Sequence, residues 1–312
     1  MKIIGLWNSG SPVAKAEIKK GLDRLDALGI SAIFPKESRR WASRPESATR
    51  KFLAGPDSTK VEVLEELSSS REIRDILALR GGYGGLRLLP LLDKSSILKR
   101  YDKILWGYSD LTVLQHYLFE KCGTPWVHAP MVGSASFHTP NAIEARWWKK
   151  AQAQKLSHEL LRVTNLSKTL TLKRSEISGP LLGGNLASLV SMMGTPWEPR
   201  FPTSTILFLE DIHEPAYKID RLLQQLGGHR DIANVKAVVL GHFTESPQAF
   251  ALFKLWSEAI GIPTFKGILA GHQAPHLPIQ LGSRVSLERE SSTRCRLVVP
   301  FSYLGCDFTG PA

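Results

Sequence analysis

The architecture of the first half of the chain is indicated by one segment, Ile76-Leu77-Ala78-Leu79-Arg80-Gly81-Gly82-Tyr83-Gly84-Gly85. Its apolar run predicts a buried strand, and the residues from Leu86 to Leu92 predict the start of a helix. A glycine-rich loop between a strand and a helix leaves main-chain N–H groups free to bind an anion or an oxyanion. A tight turn without a ligand is the simpler interpretation of the same loop.

The loop matches neither of the common nucleotide-binding patterns. The dinucleotide pattern G-x-G-x-x-G, started at Gly82, needs a glycine at position 87, where Arg87 stands. No Gly-Lys-Ser or Gly-Lys-Thr follows, as a phosphate-binding P-loop requires. The sequence therefore predicts no nucleotide cofactor, and it places a cation, Arg87, where it could pair with an anion near the loop.

Strand-like and helix-like runs alternate on both sides of this segment. Strands are predicted at residues 3–6, 31–34 and 104–106, and helices at residues 13–28, 61–68 and 112–119. Strands that alternate with helices indicate a parallel sheet with crossover helices.

The second half of the chain has a different pattern, with short apolar runs separated by glycine and proline. Short β-branched runs occur at residues 205–209, 237–240 and 296–299, and one clear helix is predicted at residues 218–226. Between the halves the pattern degrades, apart from a helical stretch within residues 142–161. We therefore predict an α/β chain with a parallel-sheet domain at 1–135, a linker at 136–177 and a strand-rich α/β domain at 178–312.

Composition and cysteine usage narrow the class of protein. Hydrophobic residues make up 43% of the 312 residues and charged residues 22%, as in ordinary globular proteins. Cys122, Cys295 and Cys306 form no CxxC pair, so neither a disulfide framework nor a zinc site is indicated. The first residues lack the long apolar run of a signal peptide, and no stretch is long enough to span a membrane. We expect a cytoplasmic protein without a membrane partner.

The net charge of +11 favours anionic partners, which could be nucleic acid, anionic lipid or an acidic small substrate. The basic residues are spread along the chain in short pairs such as Lys19-Lys20 and form no long block. This pattern favours a solvated surface with a cationic pocket, and we predict no nucleic-acid partner. A nucleic-acid-binding protein, which would bind duplex with a steep salt dependence, is the alternative from another functional class.

A serine occupies the turn after the predicted strand at 104–106, within Trp106-Gly107-Tyr108-Ser109-Asp110-Leu111. A serine on a sharp strand-to-helix turn presents its hydroxyl near free main-chain N–H groups, as a nucleophile requires. The elbow pattern G-x-S-x-G is half met, because Leu111 replaces the second glycine. Taken alone, a serine such as Ser109 is more often the N-cap of the following helix than a nucleophile.

Candidate partners for such a serine stand at strand ends in the second half. Glu210 and Asp211 end one apolar strand, and His272 follows another apolar run. A catalytic serine needs an imidazole to take its proton and an acceptor to orient that imidazole. His213, His242 and His276 are rival bases, so the residues alone leave the assignment open.

Several segments in order along residues 50–282 resemble the LD-carboxypeptidase family, serine peptidases that also include microcin-immunity hydrolases. They are Phe52-Leu53-Ala54-Gly55-Pro56-Asp57, Arg80-Gly81-Gly82-Tyr83-Gly84, Arg87-Leu88-Leu89-Pro90, Gly107-Tyr108-Ser109-Asp110-Leu111-Thr112, His128-Ala129-Pro130-Met131, Leu182-Gly183-Gly184-Asn185-Leu186, Phe208-Leu209-Glu210-Asp211, Tyr217-Lys218-Ile219-Asp220-Arg221, Gly271-His272 and Leu277-Pro278-Ile279-Gln280-Leu281-Gly282. The resemblance implies a Rossmann-like N-terminal domain, a linker and a strand-rich C-terminal domain.

The resemblance also implies a Ser109–Glu210–His272 triad that works without metal or cofactor. By position in the family's motifs, the main-chain N–H groups of Gly82 and Asp110 would form the oxyanion hole. The implied reaction removes the terminal D-alanine of murein tetrapeptides in peptidoglycan recycling, and the implied assembly is a homodimer. Arg87 is our candidate partner for a substrate carboxylate.

A rival from the same enzyme class is a microcin-immunity-type hydrolase of aminoacyl or peptidyl nucleotide conjugates. Such an enzyme needs an aromatic side chain to stack on the base, and the adjacent Trp147 and Trp148 keep this alternative open.

Overall fold

The computed structural model describes residues 2–153, 158–167, 169–172 and 174–300. The chain divides into two compact domains, and the division falls between Ile143 and Glu144. The predicted linker at 136–177 contains a helix and a strand of the second domain, whose bounds are given below.

The first domain is built on a parallel sheet. Its strands are β1 (Lys2–Trp7), β2 (Ile30–Ile33), β3 (Asp75–Ala78), β4 (Ile104–Trp106) and β5 (Trp126–His128). Its helices are α1 (Lys15–Ala27), α2 (Lys36–Trp41), α3 (Asp57–Ser69), α4 (Gly85–Leu92), α5 (Leu111–Cys122) and α6 (Ala135–His138), with a 3-10 turn at Ser96–Lys99. The strands lie in the order β2-β1-β3-β4-β5, and all four pairings are parallel.

Burial explains why the central strand is apolar. All of β3 is buried, as expected for a strand inside a sheet that is covered on both faces. Its polar residue, Asp75, accepts a hydrogen bond from Trp106 Nε1 at 2.7 Å.

Because the carboxyl ends of parallel strands lie at one edge of a sheet, the segments that follow β1, β3 and β4 meet there. The N–H of Ser11 donates to the carbonyl of Gly81 at 2.9 Å at this edge.

The second domain is strand-rich. Its strands are β6 (His158–Asn165), β7 (Glu176–Asn185), β8 (Thr205–Ile212), β9 (Val235–Thr244), β10 (Thr264–Lys266), β11 (Ile279–Leu281), β12 (Ser283–Arg289) and β13 (Arg294–Pro300). The helices are α7 (Ala142–Ala153), in which the domain division falls, α8 (Leu186–Ser191), α9 (Ala216–Gly227) and α10 (Ala249–Ile260), with a 3-10 turn at Ile232–Asn234.

Seven of these strands, all except β11, close into a barrel in the order β10-β6-β13-β12-β7-β8-β9. The pairings β7–β8, β8–β9 and β9–β10 are parallel, whereas β10–β6, β6–β13, β13–β12 and β12–β7 are antiparallel. The carboxyl ends of the parallel strands therefore share one end of the barrel, where Asn185 of β7 is the register partner of Glu210 of β8. The predicted fold class is confirmed.

Two further sequence predictions concern the chain as a whole. Within the described ranges, no helix combines the length and the apolar character needed to cross a membrane. Cys122 and Cys295 are free thiols, and Cys306 lies outside the described residues.

Candidate active site

Ser109 lies between the end of β4 and the start of α5 with φ = 65°. This is the left-handed region, which costs a non-glycine residue about 1–2 kcal/mol. Strain of this kind is retained where the surrounding structure enforces it, and functional sites are where it clusters. A serine held in a strained strand-to-helix turn is the geometry of a nucleophile elbow.

The alternative of Ser109 as a helix cap is not supported by the contacts. Asp110 occupies the N-cap position of α5, and no side-chain hydrogen bond caps the helix. Among the described residues, the Ser109 hydroxyl makes no hydrogen bond. The Ser109 hydroxyl therefore does not cap α5.

The glycine-rich loop touches the serine turn closely. A Cβ built on Gly81 would lie 2.9 Å from the Cβ of Ser109, so the approach requires glycine. Gly82 has φ = 93°, and a Cβ there would lie 2.3 Å from the Ser11 hydroxyl. At the other end of the loop, the N–H of Gly85 donates to Asp110 Oδ2 at 2.7 Å.

The two predicted oxyanion donors therefore lie on segments that are in contact within the first domain. Among the described residues, the main-chain N–H groups of Gly82 and Asp110 donate no hydrogen bond. N–H groups at a helix start are ready donors for an anion. Their role as an oxyanion hole stays a prediction.

The guanidinium group of Arg87 is hydrogen-bonded to the carboxylate of Asp57. Its Nε and Nη2 lie 2.9 and 2.6 Å from Asp57 Oδ2. Asp57 raises the pKa of Arg87 through this hydrogen bond, and burial works against that rise. Its predicted contact with a substrate carboxylate stays a prediction.

In the second domain, Glu210 and His272 form a hydrogen-bonded pair. His272 Nδ1 lies 2.8 Å from Glu210 Oε2, and Glu210 is fully buried. Burial lowers the pKa of His272, but the charge and hydrogen bond of Glu210 and the charge of Asp211 raise it above its usual 6.5 overall. With Nδ1–H donated to the carboxylate, Nε2 is the nitrogen left to act as a base.

Asp211, the neighbouring carboxylate, is used differently. It accepts hydrogen bonds from Asn185 Nδ2 at 2.9 Å, from the N–H of Ala187 at 2.9 Å and from its neighbour Ile212 at 2.8 Å. Burial and the charge of Glu210 raise the pKa of Asp211 to about 6. Asp211 thus ties the end of β8 to the start of α8 next to Glu210.

Asn185 has a structural role that was not predicted, although the residue stands in one of the motifs that carry the family resemblance. Its side chain caps α8 by accepting from the N–H of Ser188 at 3.0 Å, and it also donates to Asp211. The available signal was an asparagine directly before a helical run, which is a common N-cap.

The rival histidines make contacts of their own, which for His276 and His242 include main-chain hydrogen bonds. His213 is exposed and pairs with Glu245 at 2.7 Å. The main-chain N–H of His276 donates to Glu144 Oε1 at 2.7 Å, and that of His242 donates to the Ala270 carbonyl at 2.8 Å. Within the described part of the chain, no group of three or more His, Cys, Asp and Glu side chains is placed to hold a metal ion.

The predicted triad residues are thus distributed over the two domains. Ser109 belongs to the first domain, whereas Glu210 and His272 belong to the second. Trp147 and Trp148, considered for base stacking, are both buried, at 8% and 6% exposure.

Comparison with known proteins relates both domains to one family. Residues 4–129 match the family model of the LD-carboxypeptidase N-terminal domain, and residues 178–287 match that of the C-terminal domain. A murein tetrapeptide carboxypeptidase of Pseudomonas aeruginosa is 32% identical over 298 residues, which cover 91% of this chain and 92% of the relative.

Solved structures agree with this relationship. The muramoyltetrapeptide carboxypeptidase of Oxalobacter formigenes superposes with a TM-score of 0.79 at 25% identity, over 96% of this chain and 99% of the other. The microcin C7 self-immunity protein MccF, known from Escherichia coli, has been solved in complex with glutamyl sulfamoyl guanosine. It shares the fold with a TM-score of 0.80 at 22% identity, over 97% of each chain. The chain belongs to the LD-carboxypeptidase family of hydrolases.

Proposed function

We propose that the protein is a serine-type LD-carboxypeptidase that hydrolyses the bond to the terminal D-alanine of murein tetrapeptides through an acyl-enzyme on Ser109. The observation that carries the proposal is the left-handed conformation of Ser109 at the β4–α5 turn. The hydrogen bond between His272 and Glu210 supports it, because a serine nucleophile needs an oriented imidazole. The names of two relatives support the substrate class.

In the acylation step, the Ser109 oxygen attacks the carbonyl carbon on the L-configured side of the scissile bond, and Nε2 of His272 takes the serine proton. Glu210 holds and stabilises the resulting imidazolium. The N–H groups of Gly82 and Asp110 bind the oxyanion, and each such donor contributes about 3 kcal/mol in comparable sites.

Collapse of the tetrahedral intermediate breaks the bond to nitrogen. His272 returns its proton to that nitrogen, and D-alanine leaves as the free amino acid. Water then attacks the acyl-serine ester while His272 removes its proton, and the Ser109 hydroxyl is restored. The net charge of +11 favours an anionic, multiply carboxylated peptide. On the family resemblance alone, we also propose a cytoplasmic homodimer that acts in peptidoglycan recycling.

Mass spectrometry of the products tests this proposal directly. We expect a murein tetrapeptide to lose its terminal D-alanine and to yield the tripeptide. A matched tetrapeptide that ends in L-alanine should stay intact, because the proposed site selects the D-residue. Cleavage at an internal bond, or equal cleavage of both stereoisomers, would overturn the assignment.

The pH dependence of kcat/KM should report His272. The base must be neutral, and Glu210 raises the pKa of His272 above 6.5. Activity should therefore be full at alkaline pH and decline as the pH falls through a value above 6.5, since protonation removes the base. Steady-state kinetics over about pH 5 to 9 would check this. An acid limb that begins below 6.5 would show that this pair does not set the base.

Hydrolysis of an aminoacyl nucleotide conjugate is the second candidate, and the similarity to MccF, solved with glutamyl sulfamoyl guanosine, favours it. Burial of Trp147 and Trp148 leaves little ring surface at those positions for a base to stack on. Parallel assays on the tetrapeptide and on a glutamyl sulfamoyl nucleoside separate the two activities.

A further inference from the structure

A lysine is buried in the first turn of α3, close to the glycine-rich loop. Lys60 is 3% exposed, and its Nζ makes no hydrogen bond within the described residues. The Asp57 carboxylate is 3.6 Å away. Burial lowers the pKa of Lys60 below its usual 10.5, and the charge of Asp57 offsets part of this effect. Both the burial and the helix N-terminus disfavour an ammonium here, so the position is costly for a lysine.

The ammonium lies against the glycine-rich loop. A Cβ built on Gly84 would be 3.5 Å from Lys60 Nζ. The next residue, Gly85, donates its N–H to Asp110 Oδ2 at 2.7 Å. The loop therefore touches the ammonium at one residue and the carboxylate at the next, and Asp110 directly follows the proposed nucleophile.

The charges around Asp110 alternate in sign. Lys60 of α3 is the cation that acts on it, Asp57 Oδ1 lies 3.6 Å from Lys60 Nζ, and Arg87 of α4 binds the other oxygen of Asp57, Oδ2. Burial raises the pKa of Asp110 to about 6, while the Gly85 N–H and the Lys60 charge oppose that rise. Removal of the ammonium would therefore let Asp110 take up a proton at a higher pH.

We infer that Lys60 and Asp110 are positioning residues for acyl transfer, in which the buried ammonium keeps Asp110 ionised and Asp110 holds the Gly81–Gly85 loop against Ser109. This inference rests on the proposed function of Ser109. The Gly82 N–H, a proposed oxyanion donor, lies within the held segment. Displacement of such a donor by as little as 1 Å can cost roughly a hundredfold in rate.

Lys60→Met, with Lys103→Met as the matched control, tests the inference. Lys103 is also nearly buried, at 5% exposure, but its Nζ donates to the Ser70 carbonyl at 2.9 Å, away from the loop. Two readouts are needed: the pH profile of tetrapeptide hydrolysis, and hydrogen exchange of the Gly85 amide, which requires no substrate.

For Lys60→Met we expect kcat to fall by about 10–100-fold with KM changed less than about threefold. The Gly85 amide should exchange about tenfold faster. The acid limb of the profile should move to higher pH, because the carboxylate has lost its cation. Lys103→Met should keep the wild-type profile and the wild-type Gly85 exchange rate, even if its melting temperature falls.

Asp110→Asn covers the case in which Lys60→Met does not fold. The asparagine amide carries no charge and does not titrate near pH 6, so it mimics protonated Asp110 at every pH. The slope of log kcat/KM on the acid side should therefore be smaller than in the wild type by about one. Asp211 also has a pKa raised to about 6 and titrates in both proteins. The comparison is therefore made with the wild type measured under the same conditions, so that only the titration of Asp110 differs.

Each outcome decides the inference. Wild-type kcat and wild-type Gly85 exchange in Lys60→Met would overturn it, as would an unchanged acid slope in Asp110→Asn. A wild-type protein that does not cleave the tetrapeptide would refute the proposed function instead. In that case the Gly85 exchange rates of the two lysine variants still show whether Lys60 holds the loop.

Discussion

Replacement of Ser109 by alanine is expected to lower kcat for D-alanine release by about a millionfold, the loss seen when a serine nucleophile is removed. The hydroxyl is the group that attacks, and no neighbouring group in the proposed mechanism replaces it. The fold should be intact, because the hydroxyl makes no hydrogen bond among the described residues. Single-turnover release of D-alanine, with circular dichroism as the check on folding, measures both quantities.

Ser109→Gly is the matched companion variant. It removes the same hydroxyl, but it also relieves the left-handed conformation at φ = 65°. The glycine variant should therefore be as inactive as the alanine variant and more stable by about 1–2 kcal/mol. Turnover within tenfold of the wild type in either variant would refute Ser109 as the nucleophile. Equal stability of the two variants would refute the strain.

Replacement of Glu210 by glutamine is expected to lower kcat by about ten-thousandfold. The amide keeps the shape of the side chain but not its charge, so it neither stabilises the imidazolium nor fixes Nδ1 of His272 as the protonated nitrogen. Because Glu210 raises the pKa of His272, the acid limb of the profile should also move to lower pH.

Asp211→Asn is the control for that experiment. Asp211 is also buried and lies next to Glu210, but its hydrogen bonds go to Asn185 and to main-chain N–H groups. Loss of one such bond costs on the order of 1–2 kcal/mol, so kcat should fall by no more than about tenfold. Equal losses in the two variants would show that the carboxylates act as a unit.

The elements that carry Ser109 could be predicted from the sequence because their signals are local. The strand predicted at 104–106 is β4 with the same bounds, and the helix predicted at 112–119 lies within α5. Apolar runs, helical periodicity and glycines all act over a few residues, so a single pass along the chain detects them.

The region between the domains could not be predicted in the same way. The expected linker at 136–177 contains β6, which pairs with β10 and β13. Those partners lie about a hundred residues or more further along the chain. The eight residues of β6 carry no local signal of such a distant partner. Their irregular pattern of apolar and polar residues is therefore interpreted as a linker.

The site shows the same division between local and distant information. The residues alone could not choose between Glu210 and Asp211, because both end the same buried strand. The family resemblance favoured Glu210, and the observed hydrogen bond to His272 distinguishes the two carboxylates. The buried charges around Lys60 have no local signal in the sequence, because a lysine at a helix start is normally solvated.

Closure of the barrel sets the order in which the second domain can form during synthesis. Strand β6 pairs along its length with β13, so that Val163 faces Cys295. A ribosome adds about 5–20 residues per second, so β13 is synthesised roughly 5–25 s after β6. During that interval the nascent chain carries an unpaired strand edge, to which another chain could add. Chaperone demand should therefore concentrate on the second half of translation, after the first domain is complete.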